Sequence, residues 1–143
     1  MLSDKNSSVK IAVLGGGFVG ITLAARLLDV ENIHVTVFDQ DPIKIEYFKT
    51  HNYLVDEPGL QEILVEAEKL GKFTFDIENG STTFDAIFIC IGSPKNQNPQ
   101  ERDQNFKKIL TKYLPSLATN GMIFLRSTVE IGTTERLSEY LDS

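Results

Sequence analysis

Short apolar runs alternate with amphipathic stretches along most of the chain. Val9 to Leu14 is a compact apolar run that ends in glycines, and it predicts a buried strand. Val19 to Leu28 has good helix formers with apolar residues on more than one face, as a helix packed on a sheet requires. Ile33 to Phe38 is β-branched and predicts a second strand. Pro42 suits a first helical position, so Pro42 to Thr50 predicts a short helix. Gly59 to Leu70 predicts another, stopped by Gly71. Phe73 to Ile77 is a weak third strand. Ala86 to Ile91 is wholly apolar, the mark of a strand covered on both faces. Ser93 to Asn105 is polar, carries Pro94 and Pro99, and is expected to be a loop. Asp103 is placed to cap a helix running to Leu114. Met122 to Leu125 predicts a further strand and Thr133 to Leu141 a last helix.

Strands that alternate with helices imply a parallel sheet with right-handed crossovers. The expected fold is α/β: a doubly wound parallel sheet in three α/β/α layers. The chain has 143 residues, the size of one domain. Residues 1–8 read as a polar tail and 9–143 as the domain. The net charge of −6 argues against nucleic acid or an anionic membrane as a main partner. No apolar run approaches the roughly 20 residues of a membrane span. The N-terminus lacks the basic and apolar regions of a secretory signal. Cys90 is the one cysteine, so no internal disulfide can form. These features together lead to an expected cytoplasmic location. His34 and His51 stand alone, and no Cys/His cluster has metal-ligand spacing, so no metal is expected.

Candidate chemistry begins at Gly15-Gly16-Gly17-Phe18-Val19-Gly20, which fits G-x-G-x-x-G between a predicted strand and a predicted helix. Gly15 would make the tight turn. Gly17, without a side chain, would admit a pyrophosphate to the backbone. Gly20 would bring the helix close to the sheet. Amides at the helix N-terminus, with its dipole, favour the phosphates. A ligand-free glycine turn is the bland alternative. Asp39 ends the second strand about 20 positions after the glycines, where an acid accepts hydrogen bonds from the adenosine ribose. A carboxylate there repels a 2′-phosphate, and no arginine occupies positions 40 to 44, so the expected cofactor is NAD rather than NADP. Lys44 either helps at the adenosine end or is an ordinary exposed helix lysine. The sheet is therefore expected to be a Rossmann fold of strand order 3-2-1-4-5-6, truncated before the last strand.

Three later segments narrow the function. Glu57-Pro58-Gly59-Leu60 opens a helix. Ile91-Gly92-Ser93-Pro94 follows the apolar strand. Ser127-Thr128-Val129-Glu130-Ile131-Gly132-Thr133-Thr134 follows the last strand. Taken alone, Pro94 merely ends a strand and Ser127 and Thr128 merely cap a turn. With the glycine turn, the segments resemble in order and spacing the N-terminal domain of the UDP-glucose/GDP-mannose dehydrogenase family. Its patterns run approximately Y-E-P-G-L, T-P and S-T-V-P-P-G-T-T. The resemblance extends from about Val9 to Leu137. Asp56 stands where the family has Tyr, Ser93 replaces Thr, and Glu130 and Ile131 replace the two prolines.

The resemblance implies an enzyme that oxidises a sugar C6 alcohol to a carboxylate with two NAD in turn, through a cysteine thiohemiacetal and thioester. It makes Thr128 the residue that orients a catalytic water. NAD would be held by Gly15, Gly16, Gly17, Phe18, Val19, Gly20, Asp39, Lys44, Ile91, Gly92, Ser93, Pro94, Ser127 and Thr128. In open parallel sheets ligands bind beyond the carboxyl ends of the strands, where all these segments fall. The partner implied is a UDP- or GDP-linked sugar, and the parent is expected to be a homo-oligomer. The nucleophilic cysteine and most of the substrate site would belong to central and C-terminal domains that are absent here. The chain is thus expected to be an inactive fragment, because Cys90 lies inside the apolar run and reads as a buried structural thiol. Two other readings stay open: another Rossmann hydroxy-acid dehydrogenase, and a non-catalytic NAD-sensing module such as those that gate potassium transport.

Overall fold

The computed structural model describes residues 7–92 and 96–143. Five parallel strands form one sheet. They are β1 (Val9–Leu14), β2 (Ile33–Phe38), β3 (Phe73–Asp76), β4 (Phe84–Ile89) and β5 (Leu117–Leu125). Their spatial order is β3-β2-β1-β4-β5, with the chain reversing direction of travel across the sheet between β1 and β4. This is the expected doubly wound order. The described residues also form five α-helices: α1 (Phe18–Leu27), α2 (Pro42–Lys49), α3 (Leu60–Lys69), α4 (Pro99–Tyr113) and α5 (Thr133–Asp142).

The two faces of the sheet follow from strand periodicity. Ile11 and Val13 of β1, with Val35 and Val37 of β2, face Ile21 and Ala24 of α1, Phe48 of α2 and Leu64 of α3. Ala12 and Leu14 face the other way and join Ile87 and Ile89 of β4 against Phe106 and Leu110 of α4 and Leu137 of α5. Helices α1 to α3 therefore cover one face and α4 and α5 the other, which gives the three layers. β1 and β4 are central strands, so Ile11 to Leu14 and Ala86, Ile87 and Ile89 are all buried, as a continuous apolar run demands.

Three expectations change. Asp103 does not cap α4. Asn98 does: its side chain accepts from the Glu101 N–H at 2.9 Å, and the Glu101 carboxylate accepts from the Asn98 N–H at 3.1 Å. This is a capping box with Pro99 at the first helical position, so the helix starts four residues before Asp103. Asp103, one turn into α4, instead pairs with Arg136 of α5. β4 runs from Phe84 to Ile89 rather than from Ala86 to Ile91, because Phe84 is buried beside Leu117. β5 starts at Leu117, five residues before Met122, with an irregularity in its pairing opposite Phe84 and Ala86. The polar residues Thr119 and Asn120 hid this segment from a hydrophobicity reading. No described helix is long and apolar enough to cross a membrane.

Candidate functional site

The carboxyl ends of β1, β2, β4 and β5 meet at one edge of the sheet. β1 leads into the glycine turn. Gly15 has φ +106, a region that favours glycine, and a Cβ there would lie 2.7 Å from the Cys90 carbonyl oxygen. Gly20, in the first turn of α1, has no room either: its Cβ would sit 1.8 Å from the Gly15 carbonyl oxygen. These two glycines are required by the protein's own packing. Gly17 differs. A Cβ there would meet nothing within 4 Å. A ligand approaching the backbone would give that position a reason to lack a side chain.

Gly17 is also the N-cap of α1, and no side chain caps the helix or places an acid in its first turn. The first N–H groups of a helix have no intrahelical partner and carry the positive end of its dipole. The terminus therefore has the chemistry of an anion site. Phe18 and Val19 are exposed at its mouth.

Asp39 stands beside this turn, its side chain 10% exposed. Its Oδ2 accepts from the Gly16 N–H at 2.8 Å and from Lys44 Nζ at 2.9 Å. Its Oδ1 accepts from the Asp41 N–H at 2.9 Å. Burial pushes the carboxyl pKa up, but the Asp41 N–H, the Lys44 ammonium and the Gly16 N–H together outweigh it and hold the group below the ordinary aspartate value. A carboxylate offers about four lone-pair sites. Three are used, and the remaining one on Oδ1 is available to a ribose hydroxyl. Lys44 is accordingly an ion-pair partner of Asp39.

Two cavities flank the turn. One, of about 390 Å³, is lined by Asp39, Lys44, Phe38 and Tyr113. The other, of about 410 Å³, is lined by Phe18, Val19, Arg126, Ser127 and Thr128. Gly17, Cys90, Ile91 and Gly92 border both. The result is a two-lobed groove centred on the helix terminus, with the Asp39 carboxylate in one lobe and the Ser127 and Thr128 hydroxyls of the loop after β5 in the other. That division suits a dinucleotide whose pyrophosphate lies at Gly17.

Ser127 has a structural task. Its Oγ donates to the Ile91 carbonyl at 2.8 Å, so it ties the loop after β5 to the end of β4. Thr128 is exposed on the lobe beyond it. Ser93 and Pro94 lie outside the described residues. Glu57-Pro58-Gly59-Leu60 borders neither cavity. Gly59, with φ +79, opens α3, and Leu60 is buried in the core, so here the segment fixes a helix start. Glu130 lines neither cavity and pairs with Arg102 of α4 at 2.5 Å. Ile131 is fully exposed. Cys90 is buried and its thiol is pushed up to about 11 by burial, against a weaker downward pull from the Arg126 charge. Sequence reasoning passed over Arg126 and Tyr113. Arg126 had a usable signal, since it directly precedes Ser127 at a strand's carboxyl end. Tyr113 reaches the groove only through the packing of α4 on Phe38.

Comparison with known proteins agrees with this geometry. Residues 9–143 match the model of the UDP-glucose/GDP-mannose dehydrogenase family, NAD binding domain. UDP-glucose 6-dehydrogenase TuaD of Bacillus subtilis is 34% identical over 129 residues, covering 87% of this chain and 27% of that protein. UDP-glucose 6-dehydrogenase YwqF of the same organism is 26% identical over 132 residues, covering 91% and 30%. Among solved structures, the NDP-N-acetyl-D-galactosaminuronic acid dehydrogenase of Methanosarcina mazei aligns with a TM-score of 0.76 at 27% identity, covering 95% of this chain and 31% of the other. The UDP-N-acetyl-mannosamine dehydrogenase Cap5O of Staphylococcus aureus shares the fold with a TM-score of 0.76 at 23% identity, covering 94% and 33%. The chain thus spans about 30% of the length of these relatives. A doubly wound sheet, a glycine turn open at Gly17, an acid at the end of β2 and a family match over 9–143 lead to one conclusion: this chain belongs to the UDP-glucose/GDP-mannose dehydrogenase family and is its NAD-binding domain.

Proposed function

We propose that this domain supplies the NAD site of a nucleotide-sugar 6-dehydrogenase. The parent enzyme oxidises the C6 alcohol of a UDP- or GDP-linked sugar to a carboxylate, and each of its two oxidation steps passes a hydride to one NAD. The observation that carries the reading is the contrast between Gly17, open to a ligand, and Gly15 and Gly20, closed by the protein itself.

The residues then divide the work. Amides of Gly17, Phe18 and Val19 at the start of α1 take the pyrophosphate, and Gly20 keeps that helix against the sheet. Asp39 takes a ribose hydroxyl on its unused Oδ1 lone pair while its other acceptors hold Gly16, Asp41 and Lys44. Ile91 and Gly92 form the floor between the lobes, with Ser93 and Pro94 continuing from them in sequence. Ser127 anchors the loop that presents Thr128, which orients a water toward the reacting carbon. NAD, when bound, supplies the hydride acceptor at its nicotinamide ring. Oxidation to the carboxylate also needs a thiolate near the sugar C6, and Cys90, with its raised pKa, does not provide one. The nucleophile, most of the substrate site and the contacts of a homo-oligomeric parent are assigned to other domains. The free thiol suits a reducing, cytoplasmic setting.

Calorimetric titration of the chain with NAD tests the first half of this reading, and NADH absorbance with UDP-glucose, GDP-mannose and UDP-N-acetylhexosamines tests the second. NAD binding without NADH production is expected. Steady NADH production that survives Cys90→Ser would overturn the division between binding and catalysis. Production by a regulatory module would be absent even in the longer parent protein, which separates that alternative.

A further inference from the structure

The sequence contains four arginines. Three of them pair with carboxylates: Arg26 with Asp29, Arg102 with Glu130 and Arg136 with Asp103. Arg126 pairs with none among the described residues, in a chain whose net charge is −6. Its position is not incidental. Met122 and Phe124 of β5 stand opposite Ala86 and Phe88, and the Phe124 and Phe88 rings stack at 4.5 Å on the α1 face of the sheet. Arg126 follows Phe124 by two residues and keeps the two-residue period, its N–H donating to the Ile89 carbonyl at 2.8 Å. Its side chain is thereby carried to the cavity that Gly17, Phe18 and Val19 border from α1. Its charge is felt at the Cys90 thiol under the groove floor.

We propose that Arg126 is a diphosphate-binding residue of this groove: its guanidinium, without a carboxylate partner among the described residues and opposite the uncapped start of α1, closes on a nucleoside diphosphate from the β5 side. A planar guanidinium meets two phosphate oxygens at once, and the α1 amides meet them from the opposite wall. The diphosphate has two sources of the same chemistry, the dinucleotide and the nucleotide sugar. The inference rests on the reading of the groove as an NAD site.

The test is calorimetric titration of the chain and of Arg126→Met, Arg126→Lys and Gly17→Val with NAD, UDP-glucose and AMP, after thermal melts show that each variant is folded. Arg126→Met is expected to weaken NAD binding about tenfold, in line with the loss of a charge-assisted phosphate contact, while AMP binding stays unchanged and Arg126→Lys recovers part of the loss. A loss confined to UDP-glucose supports the same role with the sugar nucleotide as the source. Unchanged binding of both, or equal weakening of AMP, overturns the role of Arg126. Failure of the underlying reading looks different: Gly17→Val would then bind NAD as the parent does. A parent chain that binds neither diphosphate overturns both.

Discussion

The Gly16 N–H and the Asp39 Oδ2 lie 2.8 Å apart, joining the glycine turn after β1 to the end of β2. The two residues meet because β1 and β2 pair in register up to Leu14 and Phe38. Asp39 thus shapes the turn before any ribose reaches it. Under the proposed reading, binding specificity and local stability are coupled in one carboxylate.

That coupling gives a pH prediction. The folded-state pKa of Asp39 lies below the unfolded value of about 3.9, and so does that of Asp103, which Arg136 holds down by hydrogen bond against a small opposing effect of burial. A depressed carboxyl stabilises the fold above the unfolded pKa and loses that contribution as pH falls through the folded pKa. Melting temperature should therefore hold from neutral pH to about pH 4 and drop below it. Asp39→Asn should lower the plateau and flatten the acid limb. An acid limb of equal steepness in the variant would remove Asp39 from the account.

The glycines should separate folding from binding. Gly17→Val adds a side chain whose Cβ meets no atom within 4 Å, so its melt should stay near the parent's while NAD binding is lost to obstruction of the pyrophosphate. Gly20→Val drives its Cβ into the Gly15 carbonyl, an overpacking that costs at least about 1–3 kcal/mol. Denaturant melts and calorimetry on both variants check the contrast. Equal NAD affinity in Gly17→Val and the parent would remove the phosphate from this turn.

The preference for NAD over NADP should depend on Lys44 as well as Asp39. A 2′-phosphate beside Asp39 meets a like charge at a cost of order 1 kcal/mol or more when partly desolvated. Lys44 at 2.9 Å offsets part of that repulsion. Lys44→Met should widen the gap between the two dissociation constants, and Asp39→Ser with Gln40→Arg should narrow it. Equal affinity of the parent for NAD and NADP would contradict the role given to Asp39.

The Arg102–Glu130 pair stands where the family pattern has proline. It ties the loop after β5 to α4, beside the Arg136–Asp103 pair that ties α5 to the same helix. Both Arg102 and Glu130 are about one-third exposed or less. Glu130→Ala should cost about 1 kcal/mol, more than an exposed pair and less than a fully buried one. Arg102→Glu with Glu130→Arg should recover part of it. A double-mutant cycle in urea measures the coupling, and zero coupling would leave the loop without this support.

Much of the fold and the core of the site was legible in the chain because the signals are local. Apolar runs, β-branched segments and the helix starts at Pro42 and Gly59 placed every strand and helix to within a few residues, apart from the starts of β5 and α4. The glycine turn was legible because backbone geometry restricts residue type at Gly15 directly. The early start of α4 was written in Asn98-Pro99 and Glu101, a local cap obscured by a polar, proline-containing stretch. Other relationships had no local signature. Asp39 grips Gly16 across 23 positions, Lys44 neutralises it, Glu130 finds Arg102, and Arg126 alone of the arginines finds no acid among the described residues. Sequence determined the residue types and periods that make a dinucleotide-binding sheet. Tertiary structure decided which charges pair and which one faces the groove, because electrostatic partners are set by distances in space, and strand order fixes those distances only when the sheet closes.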